Sequence, residues 1–152
     1  MRMLRTIEAG PKILPSNVAV LEQHYGVCLP AAYREFLLAR NGGRPERDLF
    51  PVPGCQASPV ARVHFFFGIN DPVESCSLSW NIDLFRERLE TNLLPIATTE
   101  GADKICIILD TGAVMFLDGY SDSLTSYRVA SSFEAFLDVL YRDENSPQVE
   151  NG

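Results

Sequence analysis

The sequence predicts a single α+β domain, in which a twisted antiparallel sheet packs against N- and C-terminal helices. Helical apolar periodicity occurs near both ends of the chain, while β-favouring runs cluster between them. Regular alternation of strand and helix, which would indicate a parallel doubly wound fold, is absent. At 152 residues with 46% apolar content, the chain has single-domain size. We expect residues 1–15 to be a lead-in, 16–142 the domain, and 143–152 a polar, disordered tail.

Two helices are predicted before residue 44. Ser16 or Asn17 can cap the first, and Gly26 can end it. Its inner face would consist of Val18, Leu21 and Tyr25. The second spans 30–40, with a proline at its first position, and its end is formed by residues that tolerate a left-handed backbone. The residues that define this segment are Leu29, Pro30, Tyr33, Phe36, Leu37, Asn41, Gly42 and Gly43.

The middle of the chain begins with a proline-rich stretch, residues 44–59, which we interpret as a surface loop without regular structure. Residues 60–67 alternate as a strand, with one side formed by Val63, Phe65 and Phe67. A helix is then predicted with Ser77 or Ser79 as its cap. Its apolar stripe consists of Leu78, Ile82, Phe85 and Leu89.

The C-terminal part contains the remaining strands and the last helix. Strands are predicted over 95–97, 104–109, 113–117 and 126–129. Residues 110–112, with Gly112 in the left-handed position, favour a hairpin between the second and third of these. Ser131 and Glu134 form a potential capping box for the final helix. Its apolar face consists of Phe133, Phe136, Leu137, Leu140 and Tyr141.

The net charge of −7 is confined to the C-terminal third of the chain. Residues 1–99 carry ten basic and ten acidic side chains, whereas residues 100–152 carry three basic and ten acidic ones. A negative field of this kind repels nucleic acid and accelerates encounter with a basic partner. Solubility is the alternative explanation of the same charge.

The cysteine spacing and the N-terminus indicate a cytoplasmic protein. The four cysteines lie at positions 28, 55, 76 and 106, and no CxxC pair occurs. No signal-peptide apolar region follows the N-terminus, and no run approaches the roughly 18 apolar residues of a membrane span. We therefore expect free thiols in a reducing compartment, and no contact with a membrane.

No motif points to catalysis, a metal or a cofactor. The two histidines, His24 and His64, have no neighbours at metal-ligand spacing, and a His24–Cys28 pair would lack an orienting third group. The segment around Ser121 is not followed by any histidine, and the aspartates do not match an EF-hand loop. No nucleotide-binding glycine motif occurs. We expect no cofactor and no enzyme, although a carboxylate pair formed in the fold stays possible.

The chain resembles the SUKH superfamily, which includes the yeast cell-wall-assembly regulator and many bacterial immunity proteins. The resemblance rests on the segment 29–43 and on a second one, from Leu94 to Asp118, that includes Gly101, Gly112 and Phe116. It departs at position 117, where a leucine stands at a position that often carries tryptophan in this family. The resemblance implies a twisted antiparallel sheet packed on terminal helices, and binding of a protein partner.

From the resemblance and the charge, we expect a non-enzymatic immunity protein, a monomer or weak homodimer, that covers the active surface of a cognate bacterial toxin, for example a nuclease. The acidic residues expected to contact it are Glu100, Asp103, Asp110, Asp118 and Asp122. A regulatory module or small-ligand sensor is the alternative. It would use an aromatic groove near Phe65, Phe66 and Trp80. An unrecognised enzyme is a more distant third.

Overall fold

The computed structural model describes residues 3–56, 59–86, 92–101, 103–118 and 125–143. These ranges contain four α-helices: α1 (Pro15–Tyr25), α2 (Ala31–Ala39), α3 (Leu78–Arg86) and α4 (Phe133–Val139). Their strands are β1 (Thr6–Ile7), β2 (Arg44–Pro45), β3 (Leu49–Pro51), β4 (Val60–Phe66), β5 (Leu93–Thr99), β6 (Lys104–Ile108), β7 (Val114–Asp118) and β8 (Thr125–Ala130). The predicted α+β class with an antiparallel sheet is confirmed.

The main sheet is an antiparallel meander of six strands, in the spatial order β3-β4-β5-β6-β7-β8. Each strand therefore pairs with the next along the chain. Strands β1 and β2 form a separate two-stranded ladder. Gly112 closes the β6–β7 hairpin with a φ of 81°, as its position in the sequence predicts.

The sheet curls strongly, so that its first strand approaches its fifth. In a flat sheet, β3 and β7 would lie about 19 Å apart. The ring centroids of Phe50 on β3 and Phe116 on β7 are only 6.2 Å apart. After α4, Tyr141 exchanges two backbone hydrogen bonds with Leu49, of 2.9 and 3.0 Å, and so covers part of the β3 edge.

An aromatic cluster fills the space between the curled sheet and helices α2 and α4. Phe36 of α2 lies 4.9 Å from Phe66 of β4 and 5.4 Å from Phe133 of α4, as measured between ring centroids. Phe50 and Phe136 meet at 5.3 Å in an edge-to-face arrangement. Such pairs stabilise a core beyond the area they bury. The cluster thus fixes both helices against one face of the sheet.

Asn41 connects three segments from its buried position at the end of α2. Its side-chain Nδ2 donates to the carbonyl oxygens of Pro11 (2.7 Å) and Ile69 (2.8 Å), while Oδ1 accepts the Ile69 N–H at 2.8 Å. The residue has a left-handed φ of 51°, which asparagine tolerates better than most residues. The predicted left-handed helix end is confirmed, and the asparagine is needed there for its amide as well as for its backbone.

Glycine occupies positions 42 and 43 because the chain passes very close to other backbone segments there. A Cβ at Gly42 would lie 2.7 Å from the carbonyl oxygen of Phe66, and one at Gly43 would lie 2.6 Å from that of Ile7. Their φ angles are 86° and 100°, a region that favours glycine. These glycines let the main sheet and the β1–β2 ladder meet at the end of α2.

The prediction that residues 44–59 lack regular structure is wrong. The segment contains β2 and β3, and Phe50, Val52 and Cys55 are buried in it. Proline is tolerated in both strands because Pro45 ends a two-residue ladder and Pro51 ends a strand at the sheet edge. The proline density therefore indicates edge strands here.

Two helix starts differ from the predicted caps. Helix α1 begins at Pro15, and the Asn17 side chain accepts the Leu14 N–H at 2.8 Å. Helix α4 is capped by Ser132, whose hydroxyl accepts the Ala135 N–H at 3.0 Å, so the predicted Ser131 cap is wrong by one residue. Of the two caps predicted for α3, Ser77 is confirmed, since its hydroxyl accepts the Trp80 N–H.

β-bulges alter two predicted strands. A register shift between Val63 and Phe65 breaks the alternation in β4, so that Phe66 is buried and Phe65 is only partly buried. A second shift between Pro95 and Ala97 lets proline lie inside β5, which is longer than the predicted segment. The prediction for Leu89 concerns a residue outside the described ranges, and so does the prediction of a disordered 143–152 tail, apart from Asp143.

Candidate protein-binding surface

The sheet separates the described members of the acidic set that the sequence analysis proposed as a contact surface. Glu100 and Asp103 lie in the β5–β6 turn, and Asp118 ends β7 at the same end of the sheet. Asp110 lies in the β6–β7 turn at the opposite end, about 16 Å away along β6. Asp122 is outside the described residues. Three of the five residues thus share one end of the sheet.

Asp103 stabilises the β5–β6 turn from inside. It is only 8% exposed, and its backbone N–H donates to the hydroxyl of Thr99 at 3.1 Å. The same hydroxyl lies 3.3 Å from the Asp103 carboxylate. Because its side chain is turned into the protein, Asp103 positions the turn and presents little of its own charge to solvent.

Arg62 of β4 organises further carboxylates at this end of the sheet. Its guanidinium lies 2.8 Å from Asp48, 3.7 Å from Asp143 and 3.8 Å from Glu100. The hydrogen bond to Asp48 is the main cause that raises the pKa of Arg62. We call Asp48, Glu100, Asp118 and Asp143 the sheet-end acidic surface. The sequence analysis missed Arg62, Asp48 and Asp143. Their ion pairs join side chains from β4, from just before β3 and from the segment after α4, and no local sequence pattern indicates such long-range pairs.

Lys104, at the start of β6, is a half-buried cation near this end of the sheet. Its ammonium lies 3.3 Å from the Thr98 hydroxyl and 5.9 Å from the Phe67 ring centroid. Burial lowers the pKa of Lys104. Its ammonium thus lies against the sheet, where the negative charge of Asp103 counteracts part of this lowering of the pKa.

A cleft of about 200 Å³ opens beside β4, between the β1–β2 ladder and the turn that precedes α3. We call it the β4 cleft, and its lining includes Glu8, Arg44, His64, Phe65, Asp71 and Cys76. The sequence analysis expected a groove near Phe65, Phe66 and Trp80. The two phenylalanines line the β4 cleft, whereas Trp80 lies on α3 and is not part of its lining.

A second cleft, of about 190 Å³, lies between α1 and α3. Tyr25 crosses from α1 and donates its hydroxyl to the Asp83 carboxylate at 2.8 Å. Arg86 stacks on the Tyr25 ring, with its guanidinium carbon 5.0 Å from the centroid. Pockets that bind metabolites usually measure about 300–1,000 Å³. Both clefts are smaller, and suit single side chains of a partner better.

Two observations on the described residues concern metal binding and thiol chemistry. Within these ranges, no group of three His, Cys, Asp or Glu side chains is placed to hold a metal ion. Burial raises the pKa of the Cys76 and Cys106 thiols, away from the thiolate that a nucleophile requires. His24 packs edge-on against Tyr25 at 4.7 Å. None of the described helices is long and apolar enough to cross a membrane.

Comparison with known proteins identifies the relatives of this chain. The sequence model of the SMI1 / KNR4 family (SUKH-1) matches residues 12–139. The SPbeta prophage-derived uncharacterized protein YokK of Bacillus subtilis (strain 168) is 27% identical, over 87% of this chain and 78% of its own length. The match of the family model includes all four helices and the whole six-stranded sheet.

Proposed function

This chain belongs to the SMI1 / KNR4 family (SUKH-1), and we propose that it is an immunity protein that binds and neutralises a cognate bacterial toxin. Family membership over residues 12–139 is the observation that carries the proposal, because the SUKH domain is known as a toxin-immunity type. The prophage-derived relative comes from a bacterium, as the proposal requires. The protein would act in the cytoplasm of the producing cell, as a monomer or weak homodimer.

The neutralising contact is proposed to lie on the sheet-end acidic surface. Glu100 is exposed there, with 59% of its side chain accessible, and Asp143 is partly exposed. Toxins that cleave nucleic acid carry basic substrate-binding surfaces, since binding a phosphate backbone requires cations. An acidic protein surface that covers such a site would compete with the substrate and accelerate association.

Neutralisation needs only occupancy of the toxin surface, without turnover. The 2.8 Å hydrogen bond to Arg62 orders Asp48 before binding, whereas Glu100 and Asp143 form longer and weaker ion pairs with the same guanidinium. A surface that is ordered in advance loses less conformational entropy on association. At these two clefts, the small volumes favour a side chain of a protein partner over a metabolite.

A co-expression assay tests the proposal. The toxin domain encoded beside the gene of this chain is induced in a sensitive host, with and without the chain. We expect growth to be rescued by the wild-type chain, and expression of a non-toxic toxin variant to be harmless with or without it. Loss of viability at the same rate in the presence of folded chain would overturn the proposed function.

A further inference from the structure

We propose that the β4 cleft binds one arginine side chain of the protein partner. The inference rests on the proposed function, which supplies the class of partner. It adds which chemical group of that partner is recognised and where on this chain the group binds. Its evidence is the size of the cleft, the rings on its floor, the charge of its rim and its position beside the sheet-end acidic surface.

The size of the cleft restricts its occupant. Its volume of about 200 Å³ is below the range of about 300–1,000 Å³ that is usual for metabolite sites. A single long side chain from a partner fits a space of this size. Anchoring side chains that enter such pockets contribute most of the affinity of many interfaces.

We call the aromatic part of the cleft lining its floor and the charged part its rim. Phe65 is partly buried, and its ring packs edge-on to His64 at 4.9 Å and to Phe67 at 5.8 Å. These contacts hold the ring in place. Planar guanidinium groups stack on such faces, and this chain uses the same chemistry internally, where Arg86 covers Tyr25.

The rim carries two carboxylates and one cation. Glu8 contacts Arg44 at 3.9 Å, and both side chains are about half exposed or more, so this ion pair is weak. Asp71 Oδ1 accepts the Val73 N–H at 2.9 Å, which orients the carboxylate. The negative charges of Asp71 and Glu8 contribute, after burial, to raising the pKa of the Cys76 thiol in the same cleft. An apolar floor below excess negative charge is complementary to arginine.

The cleft is continuous with the proposed toxin contact. Phe65 follows Arg62 by three residues on β4, a separation of about 10 Å along the strand. Arg62 in turn pairs with Glu100 of the sheet-end acidic surface. One partner surface can therefore cover that surface and insert an arginine into the β4 cleft at the same time.

The test is a titration of the full chain with Nα-acetyl-L-arginine amide as the probe. Binding is monitored through the backbone amide chemical shifts of the chain. Nα-acetyl-L-citrulline amide, which has the same shape without the charge, is the matched probe. We expect saturable shifts at His64, Phe65, Asp71 and Cys76 with the arginine probe, in the millimolar range of a single side chain. The citrulline probe should bind about fivefold to tenfold more weakly. Equal shifts from both probes would overturn the inference.

Variants assign the binding to the rim. Asp71→Asn keeps the oxygen that accepts the Val73 N–H and removes only the charge, so it should weaken arginine binding about fivefold. Asp110→Asn, at the far end of the sheet, should leave it unchanged. Identical behaviour of the two variants contradicts the inference. The titration needs no toxin, so it is independent of the co-expression assay. If that assay fails while arginine binding persists, the immunity role is rejected and the proposal for the β4 cleft is retained.

Discussion

Asn41 joins three segments through one amide group. Its side chain makes three hydrogen bonds of 2.7–2.8 Å to Pro11 and Ile69, and the residue is 2% exposed. The asparagine of the Asn-Gly-Gly segment is recognisable in the sequence as a helix end. Its bonds to residues about 30 positions away on either side are not, because no local pattern encodes a long-range hydrogen bond.

The first prediction concerns this amide. Asn41→Ala should lower the free energy of unfolding by about 3–5 kcal/mol, because it leaves the two buried backbone groups of Ile69 and the partly buried Pro11 carbonyl without this partner. Asn70→Ala is the matched control, since Asn70 has a similar φ of 59° but is exposed. That change should cost only the left-handed backbone strain of about 1–2 kcal/mol. Equal losses in urea unfolding would show that strain alone explains Asn41.

The second prediction concerns Tyr33, whose hydroxyl is buried without a hydrogen-bond partner among the described residues. Its ring packs against Phe133 at 5.1 Å, so the ring is needed and the hydroxyl is not. Tyr33→Phe should raise the free energy of unfolding by about 1–2 kcal/mol, because it removes an unpaired buried polar group. Tyr141→Phe, at a 42% exposed position, should change it by less than about 0.5 kcal/mol. A destabilised Tyr33→Phe would mean that the hydroxyl has a partner.

The third prediction concerns the pH dependence of stability. Burial raises the pKa of the Cys106 thiol, so the folded chain retains a proton that the unfolded chain loses above about pH 8.5. The contribution of this thiol to the free energy of unfolding should therefore be fully present below that pH. Above it, the free energy of unfolding should fall by about 1.4 kcal/mol per pH unit for this group. Cys106→Ala should show a correspondingly smaller fall in urea titrations between about pH 9 and pH 10. An unchanged slope would contradict the assignment.

At the scale of elements, the sequence predicts best those features that depend on local periodicity. The helical stripes of α2 and α4 and the β6–β7 hairpin follow from spacing and turn chemistry, and the structure contains all three. Strands β2 and β3 could not be predicted from their prolines. Proline excludes a strand only from the interior of a sheet, and a local sequence does not reveal whether a strand lies at the edge. The bulge in β4 likewise depends on its partner β5.

The fourth prediction separates two adjacent serines at the start of α4. Ser132→Ala should destabilise the protein by about 1 kcal/mol, because its hydroxyl accepts the Ala135 N–H at 3.0 Å. Ser131→Ala should change stability by less than about 0.5 kcal/mol. Thermal or urea unfolding of the two variants distinguishes them. A larger loss from the Ser131 variant would place the cap one residue earlier.

At the scale of the whole molecule, the sequence predicts the asymmetry of charge but not its arrangement. Four of the five acidic residues proposed from the C-terminal third are described, and they divide between the two ends of the sheet, with Asp103 turned into the protein. The surface also includes Asp48 from the N-terminal half, brought in by Arg62. The curl of the sheet and the pairing of Tyr141 with Leu49 create this surface, and both depend on tertiary contacts.

The most direct test is a calorimetric titration of the toxin domain with this chain, combined with an assay of residual toxin activity. We predict full inhibition at one chain per toxin, weakened about tenfold or more by Glu100→Lys and unaffected by Asp110→Lys. Inhibition by far less than one equivalent would indicate turnover. That result, or an absence of binding, would contradict a protein that acts by covering its target.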